Sequence, residues 1–186
     1  MSAFRTHGRG HLNGPVVVVG TGLLGTSIGL GLRGRGVAVF LSDPSPTNQA
    51  VAVDIGAGLP LARLDGEAPE LVVVAAPPDV TADVVARALA DYPEAVVVDI
   101  ASVKAGIQAE LRARGADLGR YVGTHPMAGR EKSGPVAARG ELFTSMPWVI
   151  CPTPETRPEA LQAARALAGD LGAIVSEFGA EEHDEA

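Results

Sequence analysis

The chain has 186 residues, 46% of them hydrophobic but only 4% aromatic, with a formal net charge of −7 and a single cysteine. That length suits one domain, or one domain and the beginning of a second, around a core of Val, Leu, Ile and Ala. The acidic balance without a long basic run argues against a nucleic-acid surface, no apolar run reaches the roughly 18 residues of a membrane helix, and one cysteine excludes an internal disulfide. No nucleic-acid or membrane partner is expected, and a reducing, cytoplasmic setting is.

Residues 1–14 lack the apolar stretch of a secretory signal and read as a flexible lead-in. His7 and His11 in it read as solvated, so no metal site is expected there. Residues 15–179 read as a single dinucleotide-binding domain. Its apolar runs are short, continuous and rich in β-branched residues: "VVVV" (16–19), "VAVFL" (37–41), "LVVVAA" (71–76), "AVVVDI" (95–100) and "WVI" (148–150). Runs of this kind are strands buried on both faces, as in parallel sheets sandwiched by helices. Between them, Val80, Val84, Val85, Ala88 and Leu89 recur at helical spacing, as do Ile107 and Leu111. The stripe Ala160, Leu161, Ala164, Leu167, Ala168 and Leu171 predicts another helix, with Thr156 and Glu159 as a capping box and Pro158 in its first turn. Alternating strands and helices give an α/β fold with a doubly wound, mostly parallel, Rossmann-like sheet. A last strand ends near Phe178, and residues 180–186 read as the start of a truncated helical domain.

Gly20, Gly22 and Gly25 stand in G-x-G-x-x-G spacing between the first strand and the first helix. Such a turn holds a pyrophosphate against a helix N-terminus, which makes Thr21, Leu23 and Leu24 its neighbours in a cofactor site. Asp43 lies eighteen positions past Gly25, at the end of the second strand, where a carboxylate takes ribose hydroxyls and repels a 2′-phosphate. NAD is therefore expected in preference to NADP, the competing reading being ordinary turn glycines with Asp43 as a cap. Ala76 and Pro77, at the carboxyl end of the third strand, complete the cofactor contacts.

Ser102 follows the next strand in "DIASVK", either as a helix N-cap or as a site residue. Lys104, near a helix start, is unfavourable for the helix dipole and calls for an anionic partner; Asp99 reads as a structural acceptor. His125 follows "RYVG" and should emerge on the same carboxyl edge as Ser102. A neutral imidazole there can take a hydroxyl proton, although a hydrogen-bonded structural histidine fits the residues equally well.

The segments "GTGLLGTSIGLGL", "DIASVKAGI" and "GTHPMAGREKSG" resemble the prephenate/arogenate dehydrogenases of tyrosine biosynthesis, in order, from about Val16 to the end of the chain. The resemblance implies oxidative decarboxylation of prephenate to 4-hydroxyphenylpyruvate, with hydride passing to NAD, and arogenate as the alternative substrate. It implies that His125 binds the substrate hydroxyl and takes its proton, that Ser102 positions both, and that Glu131 and Ser133 approach the substrate. Members of that family continue into a helical domain that forms a homodimer and completes the active site. This chain is therefore expected to bind NAD but turn over poorly alone. Other hydroxyacid or imine dehydrogenases share the sheet, and a regulatory NAD-binding module is the non-enzymatic alternative. His183 reads as a solvated residue at a helix start, Trp148 and Met146 as core or strand-edge residues, and Cys151 as inert.

Overall fold

A computed structural model describes residues 10–128 and 133–186. Among them, eight strands form one sheet: β1 (Val16–Val19), β2 (Val39–Ser42), β3 (Leu59–Pro60), β4 (Leu71–Val74), β5 (Val96–Asp99), β6 (Tyr121–Pro126), β7 (Pro147–Cys151) and β8 (Ile174–Glu177). The spatial order is β3-β2-β1-β4-β5-β6-β7-β8, and every neighbouring pair is parallel except β6 with β7. The expected doubly wound, mostly parallel sheet is what forms.

Helices α1 (Leu23–Arg33), α2 (Pro46–Asp54), α3 (Pro78–Asp91), α4 (Ala105–Ala113), α5 (Pro158–Asp170) and α6 (Ala180–Glu185) fill most of the connections between strands. The period-2 alternation of strand side chains divides the core into two layers. Val16, Val18, Leu71 and Val73 pack on one face with Ile28 and Leu32 of α1 and Leu167 of α5. Val17, Val72 and Val74 pack on the other with Val85 and Leu89 of α3 and Leu111 of α4. With both faces covered, β1 and β4 are apolar at every position, and Val16, Val17 and Val18 are completely buried.

Several local expectations are corrected. The lead-in is tied down where it is described: Leu12 is buried and its N–H donates to Asp170 Oδ2 at 2.9 Å. The Asn13 and Gly14 N–H groups donate to Glu70 Oε1, and His11, exposed as expected, also meets Asp170 Oδ1 at 2.6 Å. The Thr156–Glu159 capping box does not form. Arg157 occupies the N-cap of α5 without a side-chain bond, and the Thr156 hydroxyl accepts from the Thr153 N–H at 2.8 Å. Proline at the first helical position suffices there, because that position needs no N–H. The strand after Arg120 continues through His125 and Pro126, so the histidine sits within β6, opposite Val149 of β7.

Candidate active site

The chain reverses its winding between β1 and β4, which are neighbours, and the crevice of such a sheet opens beyond the carboxyl ends of those strands. A cleft of about 590 Å³ lies there. Gly20, Gly22, Leu23, Leu24 and Gly25 form one wall, and Asp43, Ala76 and Pro77 close it from the neighbouring strand ends.

The glycine turn is built by close contacts. Gly20 holds φ +110°, a region L side chains avoid, and a Cβ on it would come within 2.3 Å of the Ala75 carbonyl oxygen. A Cβ on Gly25 would stand 1.9 Å from the Gly20 carbonyl oxygen, so the helix start can lie against the turn only with glycine there. Gly22 differs: its missing Cβ would meet nothing within 4 Å. It is the N-cap of α1, no side chain caps that helix, and no acid occupies its first turn. A helix N-terminus uncapped in this way offers its N–H groups to an anion.

Asp43 is firmly oriented. One carboxylate oxygen accepts from the Thr21 N–H at 2.6 Å and the Thr21 hydroxyl at 2.9 Å, and the other from the Ser45 N–H at 2.7 Å. The helix cap in "SDPSP" is Ser45, which accepts from the Asn48 N–H, rather than Asp43. A carboxylate has about four acceptor positions, so Asp43 keeps capacity for hydroxyl donors. Thr21, expected in the cofactor wall, is buried and reaches the cleft only through Asp43.

A second cleft, of about 490 Å³, opens along the same loop: Ile100 lines the first cleft, and Ser102, two residues further along the loop after β5, lines the second. Ser102 and His125 share this second cleft with Val103, Met127, Phe178 and His183. Ser102 is exposed and caps nothing, since the N-cap of α4 is Lys104. Ser133 borders the glycine-turn cleft instead of the histidine cleft, and Glu131 lies outside the described residues.

Beneath the loop, a buried polar network holds the strand ends. Lys104, completely buried, is ion-paired with Asp99, the anionic partner its position called for. Asp99 also accepts from the Tyr121 hydroxyl at 2.6 Å and the Ala101 N–H at 2.9 Å. Burial, reinforced by the Asp99 charge, raises the Tyr121 phenol well above its ordinary range, so it stays a donor. The Asp99 carbonyl accepts from the Thr124 hydroxyl at 2.7 Å, which ties the loop carrying Ser102 to the strand carrying His125.

His125 is buried at 8% exposure, and its Nδ1 lies 2.9 Å from His183 Nε2, the two rings edge-on with centroids 5.1 Å apart. His183 is therefore not the solvated residue the sequence suggested. Its Nδ1 meets Asp184 Oδ1 at 2.7 Å, and Asp184 in turn accepts from the Lys104 N–H at 3.0 Å and the Ala105 N–H at 2.9 Å. Partial burial pushes the Asp184 carboxyl upward, but the hydrogen bonds from Ala105, His183 and Lys104 outweigh it and hold it below its usual range. Sequence reasoning missed both residues because a histidine among acids looks solvated; only folding brings it to a partner 58 positions away. Cys151 is buried, and burial pushes its thiol up to about 11, consistent with an inert residue. Trp148 is completely buried and Met146 partly exposed. Among the described residues, no three His, Cys, Asp or Glu side chains are grouped to hold a metal ion.

With this geometry in view, a family model described as "Prephenate dehydrogenase, nucleotide-binding domain" matches residues 28–177. The chain belongs to that family. It is 44% identical over 170 residues to NovF, a probable prephenate dehydrogenase of Streptomyces niveus, covering 91% of this chain and 46% of that protein. It resembles a crystal structure of A. aeolicus prephenate dehydrogenase in complex with hydroxyphenyl propionate and NAD+, with a TM-score of 0.80, 28% identity, and coverage of 91% of this chain and 61% of the other. Synechocystis arogenate dehydrogenase is as similar in shape, with a TM-score of 0.80, 27% identity and coverage of 91% and 61%. The chain thus spans about half the length of the curated prephenate dehydrogenases it matches.

Proposed function

We propose that this chain is the nucleotide-binding part of an enzyme that oxidatively decarboxylates prephenate to 4-hydroxyphenylpyruvate in tyrosine biosynthesis, in the cytoplasm. The observation that carries this reading is that two clefts are lined from the one loop after β5, the first walled by the glycine turn and the second holding Ser102 and His125. The first cleft fits NAD. Gly22 leaves open the space a phosphate needs, the α1 N–H groups face it, and Asp43 has acceptor positions for ribose hydroxyls. The Asp43 charge also disfavours a 2′-phosphate, hence NAD over NADP. NAD held there would supply the acceptor for the hydride lost from the hydroxyl-bearing ring carbon.

The chain's own residues do the remainder. His125 takes the proton of the substrate hydroxyl as that carbon is oxidised, while the ring carboxylate departs as CO₂ and the ring becomes aromatic. Ser102, in the same cleft, orients the hydroxyl toward the imidazole. Glu131, in the loop that follows His125, would border the substrate from there, whereas Ser133 lies at the border of the glycine-turn cleft and would face the cofactor. A helical domain, in the length by which the relatives exceed this chain, would pair two subunits and complete the pocket. The likeness to the Synechocystis enzyme supports arogenate as the second candidate substrate.

The test is His125→Asn, assayed with prephenate and arogenate and with each nicotinamide cofactor in the protein that contains this domain. Cofactor affinity should be unchanged, while turnover falls by about 10²–10⁴-fold, the contribution of one general base. Turnover within a few-fold of the parent would overturn the assignment.

A further inference from the structure

We infer that His183 and Asp184 are positioning residues for His125, forming a carboxylate–imidazole–imidazole relay that fixes which nitrogen of His125 carries the proton. The inference deepens the proposed role of His125 and rests on it for its functional meaning. Its structural content stands on separate observations.

Asp184 is ionised at neutral pH and can only accept, so the 2.7 Å contact from His183 Nδ1 to Asp184 Oδ1 requires the proton to sit on that nitrogen. A neutral His183 then presents a lone pair at Nε2. The atom 2.9 Å away is His125 Nδ1, which must supply the proton of that hydrogen bond. With both rings neutral, His125 is thus held as its Nδ1–H tautomer and carries its lone pair on Nε2, the state a proton acceptor needs. The edge-on arrangement of the rings, 79° between planes, suits an N–H directed at an in-plane lone pair.

The far end of the relay is anchored as well. Asp184 accepts backbone N–H bonds from Lys104 and Ala105, at the start of α4 and directly after the Ser102 loop. The carboxylate that orients His183 therefore also fixes the backbone beside Ser102. A neighbour that merely filled space against His125 would need neither the acceptor at Nε2 nor the charge behind it.

The experiment is nitrogen-15 magnetic resonance of the ligand-free chain with labelled histidines, its four histidine rings assigned by single substitutions. The parent chain should show His125 almost wholly as the Nδ1–H tautomer, with a scalar coupling between His125 Nδ1 and His183 Nε2 across the hydrogen bond. His183→Leu should release His125 into a mixture of tautomers, and His183→Gln, which offers an acceptor oxygen at similar reach, should restore the Nδ1–H form. Nucleotide titration should be unchanged in both variants, which separates loss of the relay from loss of fold. The Nε2–H form in the parent, no coupling between the two assigned rings, or an unchanged tautomer in His183→Leu would overturn the inference. Because no turnover is measured, these results are distinguishable from a failure of the catalytic reading, which His125→Asn decides.

Discussion

At the scale of single residues, the glycine turn separates folding from binding. Gly25 is needed by the fold itself, since a methyl group there would overlap the Gly20 carbonyl and push α1 off the sheet. Gly22 has ordinary φ −78° and open space where its side chain would be, so the chain tolerates alanine there but a phosphate would not. Gly22→Ala should keep the parent melting temperature while weakening nucleotide binding by about tenfold or more, equivalent to about 1.4 kcal/mol. Gly25→Ala should instead lower the melting temperature markedly, and its binding loss should follow from that. Thermal melts with calorimetric titrations would decide the matter. Unimpaired nucleotide affinity in Gly22→Ala would mean that the phosphates do not approach this turn.

At the scale of elements, α4 is the informative case, because its N-terminus is capped by a residue 79 positions away. Lys104 at the N-cap supplies no side-chain bond, and Asp184 supplies both acceptors. Asp184→Ala should cost about 1 kcal/mol, the ordinary value of an N-cap acceptor. Its folded-state carboxyl is held below the usual range, so the stabilisation is complete above the ordinary carboxylate pKa of about 3.9 and lost as pH falls through the lowered value. The difference in melting temperature between parent and variant should accordingly be steady near neutrality and shrink below about pH 4. A gap that persists undiminished in acid would exclude the charged cap. The sequence announced strands β1, β2, β4 and β5 because their Val-rich runs are buried on both faces, and it announced Ser102 and Asp43 because strand ends aim residues at the crevice. Local spacing carried that information. The caps were another matter: the Thr156–Glu159 pattern was locally plausible and lost to a proline start, and the cap of α4 is written nowhere near α4. The place of His125 in the same cleft as Ser102 was legible from the strand that precedes it, whereas its contact with His183 depends on a closure that no local pattern encodes.

At the scale of the whole molecule, the sheet and the site are fastened together by the end of the chain. Beyond β8, the short α6 lies against α4 and β7, placing His183 and Asp184 between the Ser102 loop and β6. The glycine-turn cleft uses none of this, since its walls come from β1, α1, the loop after β2, α2, α3 and the loops after β4 and β5, with Ser133 and Gly134 at its border. The two clefts should therefore respond differently to shortening. A chain ending at Gly179 retains every strand and both core layers, so it should fold and bind NAD with an affinity within a few-fold of the parent. The histidine cleft should open in the same molecule. His125 would lose the acceptor at its Nδ1, and the Lys104 and Ala105 N–H groups would lose their carboxylate and exchange with solvent faster than in the parent. Hydrogen-exchange rates at the start of α4, read alongside the nucleotide titration, test this division. Parallel loss of nucleotide affinity and α4 protection would show instead that the two clefts are one cooperative unit.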